Sequence, residues 1–184
     1  SMVLDVATGT ADLAIAIAKG TDAEITGADI SEGMLSVGRD KIQKKGLSKK
    51  SVLELGDSEN LPYPDHTFDA VTVAFGVRNF QNLYNGLKDI SRVLKPGGQL
   101  VVLEFSQPKY FPFKQIYWFY FKAILPTLGK LVSKDPRAYT YLPETVEAFP
   151  YGNAFESELE KAGLKPTKTQ SVTFGIASIY QARK

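Results

Sequence analysis

The sequence predicts a single α/β domain, built on a seven-stranded, mainly parallel sheet with helices on both faces and a terminal antiparallel hairpin. Three observations point there. From Met2 to Phe105, short apolar runs alternate with helix-forming stretches, and such βαβ alternation gives parallel strands. The run Phe68–Phe75 is almost continuously apolar, as a strand covered on both faces must be. After residue 106 the alternation stops, and two adjacent strand-like runs close the chain.

Each element has its own signal. Met2–Val6 is an apolar run ending at a glycine turn, and Ala11–Lys19 follows as a helix. Ala23–Ala28 is a second strand. Ser31 is placed to cap a helix over Glu32–Lys45, and Gly46 to stop it. Ser51–Leu55 is the third strand and Phe68–Phe75 the fourth. Leu83, Leu87, Ile90, Val93 and Leu94 recur at helical spacing, and Lys95-Pro96-Gly97-Gly98 ends that helix. Gln99–Phe105 is the fifth strand. Pro108–Lys134 is aromatic-rich and mostly helical in composition, and Pro143–Tyr151 is a loop or short helix. Ala154–Ala162 is a helix stopped by Gly163. Leu164–Val172 and Phe174–Ala182 form the final pair, with Gly175 near the bend. No second domain, repeat or linker interrupts residues 1–184. The chain opens directly on its first strand, so a covering N-terminal segment is expected to precede it in the whole protein.

Composition narrows the function. The 43% hydrophobic and 23% charged residues suit a compact core. A formal charge of +2 argues against a nucleic-acid partner, and Lys41, Lys44, Lys45, Lys49 and Lys50 read as a solvated helix face and turn. With no cysteine, thiolate nucleophiles and Cys-ligated zinc are excluded, and a cytoplasmic location is expected. The one histidine, His66, lies in a turn-like stretch and cannot found a metal site, so no metal is expected. The apolar stretch Phe111–Val132 is broken by Lys114, Gln115, Lys122, Pro126 and Lys130 and fails as a membrane span.

Three loops carry ligand-binding signals. In Asp5-Val6-Ala7-Thr8-Gly9-Thr10-Ala11 a strand ends, a glycine turns and a helix begins, leaving free amides for a carboxylate or phosphate. Asp29 follows Gly9 by twenty residues at the end of the second strand, where an acid reaches two ribose hydroxyls. Asp57 and Ser58 follow the third strand, where a carboxylate can accept from an adenine amino group. Ala11 and Leu13 leave this turn poorer in glycine than a pyrophosphate needs, which favours a cofactor with one carboxylate over NAD.

The sequence resembles the ubiquinone/menaquinone C-methyltransferases, through Leu4–Thr10, Gly27–Leu35, Gly56–Pro62 and Arg92–Gly98, motifs that many methyltransferases share. Ala74-Phe75-Gly76-Val77-Arg78-Asn79, Leu103-Glu104-Phe105-Ser106 and Tyr139-Thr140-Tyr141-Leu142-Pro143 are more specific, and the resemblance covers essentially the whole chain. It implies the Rossmann-like fold of class I S-adenosylmethionine methyltransferases, with adenosylhomocysteine as product and a prenylated quinol as substrate. Asp5, Gly9, Thr10, Asp29, Asp57, Ser58 and Ala74 would then form the cofactor site. Two positions depart from the family: Ala74, often serine, and Ala11, usually glycine. A methyl group at Ala11 would crowd the bound methionine and disfavour positive φ.

Arg78, Asn79, Tyr139 and Tyr141 are the candidates for the acceptor side. Arg78 would stabilise the quinolate or orient a proton-accepting water, since arginine is too poor a base itself. The alternative is a structural pairing with a nearby acid. Asn79 would bond a quinol oxygen or cap the helix beginning near Asn82. Tyr139 and Tyr141 would line the pocket or merely pack. Residues 108–145 would form a helical insertion on the substrate side, receiving the prenyl tail or serving as core. Its lysines, Lys109, Lys114 and Lys122, could meet lipid headgroups, giving peripheral membrane contact. A homodimer is left open. Methylation of another apolar small molecule and a non-catalytic cofactor-binding module are the alternatives. A dehydrogenase is disfavoured because no Tyr-x-x-x-Lys pair is apparent.

Overall fold

A computed structural model describes residues 1–108, 111–119 and 144–184. Its strands are β1 (Met2–Val6), β2 (Glu24–Asp29), β3 (Ser51–Leu55), β4 (Phe68–Ala74), β5 (Leu94–Phe105), β6 (Lys165–Val172) and β7 (Ala177–Arg183). Its named helices are α1 (Asp12–Gly20), α2 (Glu32–Lys44), α3 (Leu83–Val93), α4 (Phe113–Phe119) and α5 (Asn153–Lys161). Residues 144–148 are also helical. The described strands form one seven-stranded sheet in the order β3-β2-β1-β4-β5-β7-β6. β1 to β5 are parallel; β7 runs antiparallel to β5, and β6 antiparallel to β7. The predicted architecture is the observed one.

Strand alternation splits the core between two layers. Leu4, Val6, Val71, Val73, Leu100 and Val102 meet α3 and α5 through Leu87, Ile90, Phe155 and Leu159. Val3, Ile25 and Leu53 meet Ala14, Ile15, Leu35 and Ile42 of α1 and α2. α2 and α3 start where expected: Ser31 Oγ accepts the Met34 amide at 3.4 Å, and Asn82 Oδ1 accepts the Asn85 amide at 3.0 Å.

Two predicted boundaries are corrected. β5 begins at Leu94, not Gln99, so Lys95-Pro96-Gly97-Gly98 lies within the strand rather than ahead of it. Leu94 turns extended to pair with Phe68 and bury completely, and a register irregularity between Phe68 and Ala70 absorbs the extra residues. The Gly97 amide donates to the Lys184 carbonyl, and the Lys184 amide to the Gly98 carbonyl, fastening the glycines to the end of β7. At the other end, β7 begins at Ala177. Thr173, Phe174 and Gly175 all have positive φ, which no strand tolerates, so Phe174 sits exposed at the bend.

Of the aromatic segment, α4 and residues 144–148 are described. Tyr117 and Val146 are buried together against Trp118, Phe105 and Ile176, while Phe111, Ile116 and Phe119 are exposed. Tyr117 is core, and burial pushes its hydroxyl pKa up to about 12. Lys109, Tyr110, Lys122, Tyr139 and Tyr141 lie outside the described residues.

Candidate functional site

Strand order reverses beside β1, so the loops after β1 and β4 diverge and leave a crevice at the carboxyl edge of the sheet. The crevice encloses about 470 Å³, within the range of small-molecule sites. Every one of the first four strands contributes: Ala7 and Gly9 after β1, Asp29 and Ile30 after β2, Gly56 and Ser58 after β3, and Phe75, Gly76, Arg78, Asn79 and Phe80 after β4. A second hollow of about 350 Å³ shares Ile30 and Gly56 with it and adds Asp57.

Asp29 organises the deep end. It is 9% exposed, and its carboxylate accepts the Gly9 amide at 2.8 Å and the Ser31 amide at 2.9 Å. Two bonds leave a carboxylate with spare lone pairs. Asp29 therefore ties the first loop to the second while still lining the crevice. Gly9 turns at φ +56, which glycine adopts freely. Ala7 at +54 and Phe75 at +54 also line the crevice with left-handed backbones that other residues resist, so local strain gathers here.

Asp5 lies beneath this loop rather than in the crevice lining. It is 1% exposed, accepts the Thr8 hydroxyl at 2.6 Å and the Thr72 hydroxyl at 2.7 Å, and joins β1, the loop and β4. Burial pushes its carboxyl pKa up to about 6; the bonds from Thr8, Thr72 and the Ala14 amide pull the other way. Thr10 spends its hydroxyl on Asp12 at 2.9 Å and on Lys41 at 2.8 Å, so only its backbone is offered to a ligand. Ala11 does adopt positive φ, +65, but it is fully buried in the α1–α2 layer. A Cβ at Gly38 would stand 3.2 Å from the Ala11 Cβ. The Ala11 methyl group thus packs toward α2, correcting the expectation that it crowds the methionine moiety.

The β4 wall carries further polar groups. Arg78 and Asn79 both line the crevice from a single 3-10 turn, Val77–Asn79. Asn79 does not cap α3, since Asn82 does. Arg78 lines the crevice and also makes the expected structural pairing with an acid, Glu104, at 2.8 Å. Its Nη1 also donates to the Phe75 carbonyl, while its Nε is buried with no hydrogen-bond acceptor among the described residues. Ala74 ends β4 directly before Phe75 and is half-buried.

Sequence reasoning missed Glu104 as a site residue, although a lone acid in Val101-Val102-Leu103-Glu104-Phe105 was its signal. It also missed Ile30, Met34 and Phe75, which are exposed apolar side chains at the crevice. An apolar residue directly after the presumed ribose acid could have revealed Ile30. His66 is an exposed turn residue with φ +56, as expected.

The model of the ubiE/COQ5 methyltransferase family matches residues 1–184. A demethylmenaquinone methyltransferase of Bacteroides fragilis is 48% identical over 99% of this chain and 75% of its own length. A ubiquinone/menaquinone biosynthesis C-methyltransferase UbiE of Geobacter sulfurreducens is 46% identical over 99% of this chain and 72% of its own. Among solved structures, an Aquifex aeolicus SAM-dependent methyltransferase superposes with a TM-score of 0.71 at 22% identity, covering 99% of this chain and 81% of that one. The [4+2]-cyclase SpnF superposes at 0.76 with 19% identity, covering 100% and 74%. These two likenesses establish the fold alone, since one of them is called a cyclase.

Proposed function

The chain belongs to the ubiE/COQ5 methyltransferase family, and from that premise we propose that it methylates a ring carbon of a prenylated quinol, demethylmenaquinol or a ubiquinone precursor, with S-adenosylmethionine as donor. The observation that carries the reading is the crevice between Asp29 and Arg78. One end offers a nearly buried carboxylate with unused lone pairs, and the other offers a cation beside exposed apolar surface.

The residues present fit the cofactor. Asp29 would accept the two ribose hydroxyls, Ile30 would lie against the adenine, and Asp57 and Ser58 would take its amino edge, since all four line the adjoining hollows. The loop at Gly9 and Thr10 would offer backbone amides to the amino-acid portion at the start of α1. When bound, the sulfonium supplies an electrophilic methyl group and leaves as adenosylhomocysteine.

The acceptor carbon becomes nucleophilic as the neighbouring hydroxyl loses its proton to water; after methyl transfer that carbon's own proton passes through water back to the oxygen, restoring the aromatic quinol. Arg78 stabilises the resulting oxyanion, and Asn79 holds a ring oxygen, so the carbon is presented at near-attack distance. The prenyl tail runs along the exposed Phe111, Ile116 and Phe119, where each buried CH₂ contributes about 0.8 kcal/mol. Such a substrate resides in a bilayer, so the chain works at the membrane surface; among the described residues no helix is long and apolar enough to cross a membrane.

Calorimetry with adenosylmethionine, adenosylhomocysteine and NAD tests the cofactor assignment. Binding of the first two and not the third is expected. Preference for NAD would overturn it.

A further inference from the structure

Glu104 is a buried acid at the β4 wall for which the chemistry above has no task. It lies in the otherwise apolar end of β5 and is 0% exposed, where a carboxylate persists only if paired and hydrogen-bonded. It is not in the crevice lining, yet its partners hold the crevice wall. Oε1 accepts from Arg78 Nη1 at 2.8 Å and from the Phe105 amide at 2.8 Å; Oε2 accepts from the Arg78 amide at 3.3 Å. Arg78 Nη1 also grips the carbonyl of Phe75, whose left-handed backbone needs such support. The Arg78 guanidinium carbon lies 5.2 Å from the Phe105 ring centre, and that ring packs on Phe75 at 4.7 Å. One carboxylate therefore holds Arg78 by backbone and side chain, and through Arg78 the strained Phe75.

We propose that Glu104 is a positioning residue for methyl transfer, fixing the Arg78 guanidinium in one orientation so that it meets the developing quinolate without reorganising. The role rests on the assignment of Arg78 to the acceptor oxygen. Arginine is a long, rotamer-rich side chain, and a donor aimed before charge develops is worth more than one that must be ordered then. Glu104 also balances the arginine's charge in a wall where both side chains are largely buried.

The test compares full-length wild type, Glu104→Gln, Arg78→Lys and the double variant with saturating adenosylmethionine and demethylmenaquinol. Calorimetry gives cofactor affinity, and the nitrogen-15 resonances of the Arg78 Nη groups report their hydrogen-exchange rate. Glu104→Gln is expected to lower kcat roughly 10- to 100-fold. Cofactor Kd should change less than about threefold, and Nη exchange should quicken at least about tenfold, as for an arginine released from its partner. In the Arg78→Lys background the same substitution should lower kcat less than about twofold, since it acts through the arginine. Should Glu104→Gln fail to fold, Glu104→Asp keeps the charge at shorter reach and should give an intermediate loss. Wild-type turnover with Glu104→Gln (or, if that fails to fold, Glu104→Asp) unaffected, or equal losses in both backgrounds, overturns this role alone. A cofactor-bound wild type that methylates no quinol overturns the assigned reaction and this role with it.

Discussion

Asp29 accepts the amide of Gly9 at 2.8 Å across twenty residues of chain, so the acid assigned to the ribose is also the clasp between the first two loops. Its second bond, to the Ser31 amide, ties it to the start of α2. An amide in place of the carboxylate loses charge-assisted bonds to the hydroxyls and to both backbone donors. Asp29→Asn is expected to weaken adenosylmethionine binding roughly 10- to 100-fold, the effect of losing one charged hydrogen bond. Calorimetry checks it, and unchanged affinity would remove Asp29 from the cofactor site.

Arg78 and Glu104 form a buried pair with side-chain exposures of 11% and 0%. Removing the arginine strands a carboxylate, so Arg78→Ala should destabilise the fold by about 3–5 kcal/mol in urea unfolding. Arg78→Lys keeps the charge but loses the planar fork, and should lower turnover at least roughly tenfold. A normal rate in the lysine variant would reduce Arg78 to a structural role.

Asp5 makes stability depend on pH. Its folded pKa of about 6 lies above the ordinary 3.8, so the folded state holds the proton more tightly than the unfolded chain. The stability that this proton brings is complete below pH 3.8 and is lost as pH rises through about 6. Relative to Asp5→Asn, the wild type should lose about 3 kcal/mol between pH 3.5 and 7.5, from the shift at 1.36 kcal/mol per unit. Parallel urea midpoints for the two proteins across that range would contradict the assignment.

Ala11 and Gly38 face each other between α1 and α2. Ala11→Gly relieves a positive φ but removes a buried methyl group and frees the unfolded chain, so stability should shift by less than about 1 kcal/mol. Since the methyl group packs toward α2, adenosylmethionine affinity should stay within about threefold, below 1 kcal/mol. Gly38→Ala is the opposite case. Its Cβ would stand 2.6 Å from Leu53 Cδ1 and 3.3 Å from the Thr10 carbonyl carbon, costing about 1–3 kcal/mol. Urea unfolding and calorimetry on both variants decide.

Most of the fold was legible because helix and strand periodicities survive in sequence: the cap at Ser31 and the runs at Val71 and Leu100 each announce themselves, whereas the cap on α3 proved to be Asn82 and not Asn79. Boundaries failed where a tertiary demand overrode a local signal. Leu94 extends because Phe68 awaits it, and no turn propensity in Lys-Pro-Gly-Gly reports that. Phe174 looked like a strand residue but sits at positive φ in a bend. In the site, acids and glycines at loop starts were readable, since spacing alone places them at strand ends. The direction of the Ala11 methyl group, the diversion of the Thr10 hydroxyl to Lys41 and the partnership of Arg78 with Glu104 were not. Each depends on a contact spanning 26 or more residues.

The central claim is carbon methylation of a quinol by the group held between Asp29 and Arg78. Mass spectrometry of demethylmenaquinol incubated with full-length protein and adenosylmethionine carrying a carbon-13 methyl group tests it most directly. The account predicts a product heavier by one labelled methyl group, with carbon-13 bonded to the ring carbon and both hydroxyls free. Label on oxygen, or none transferred by protein shown to bind the donor, would contradict it.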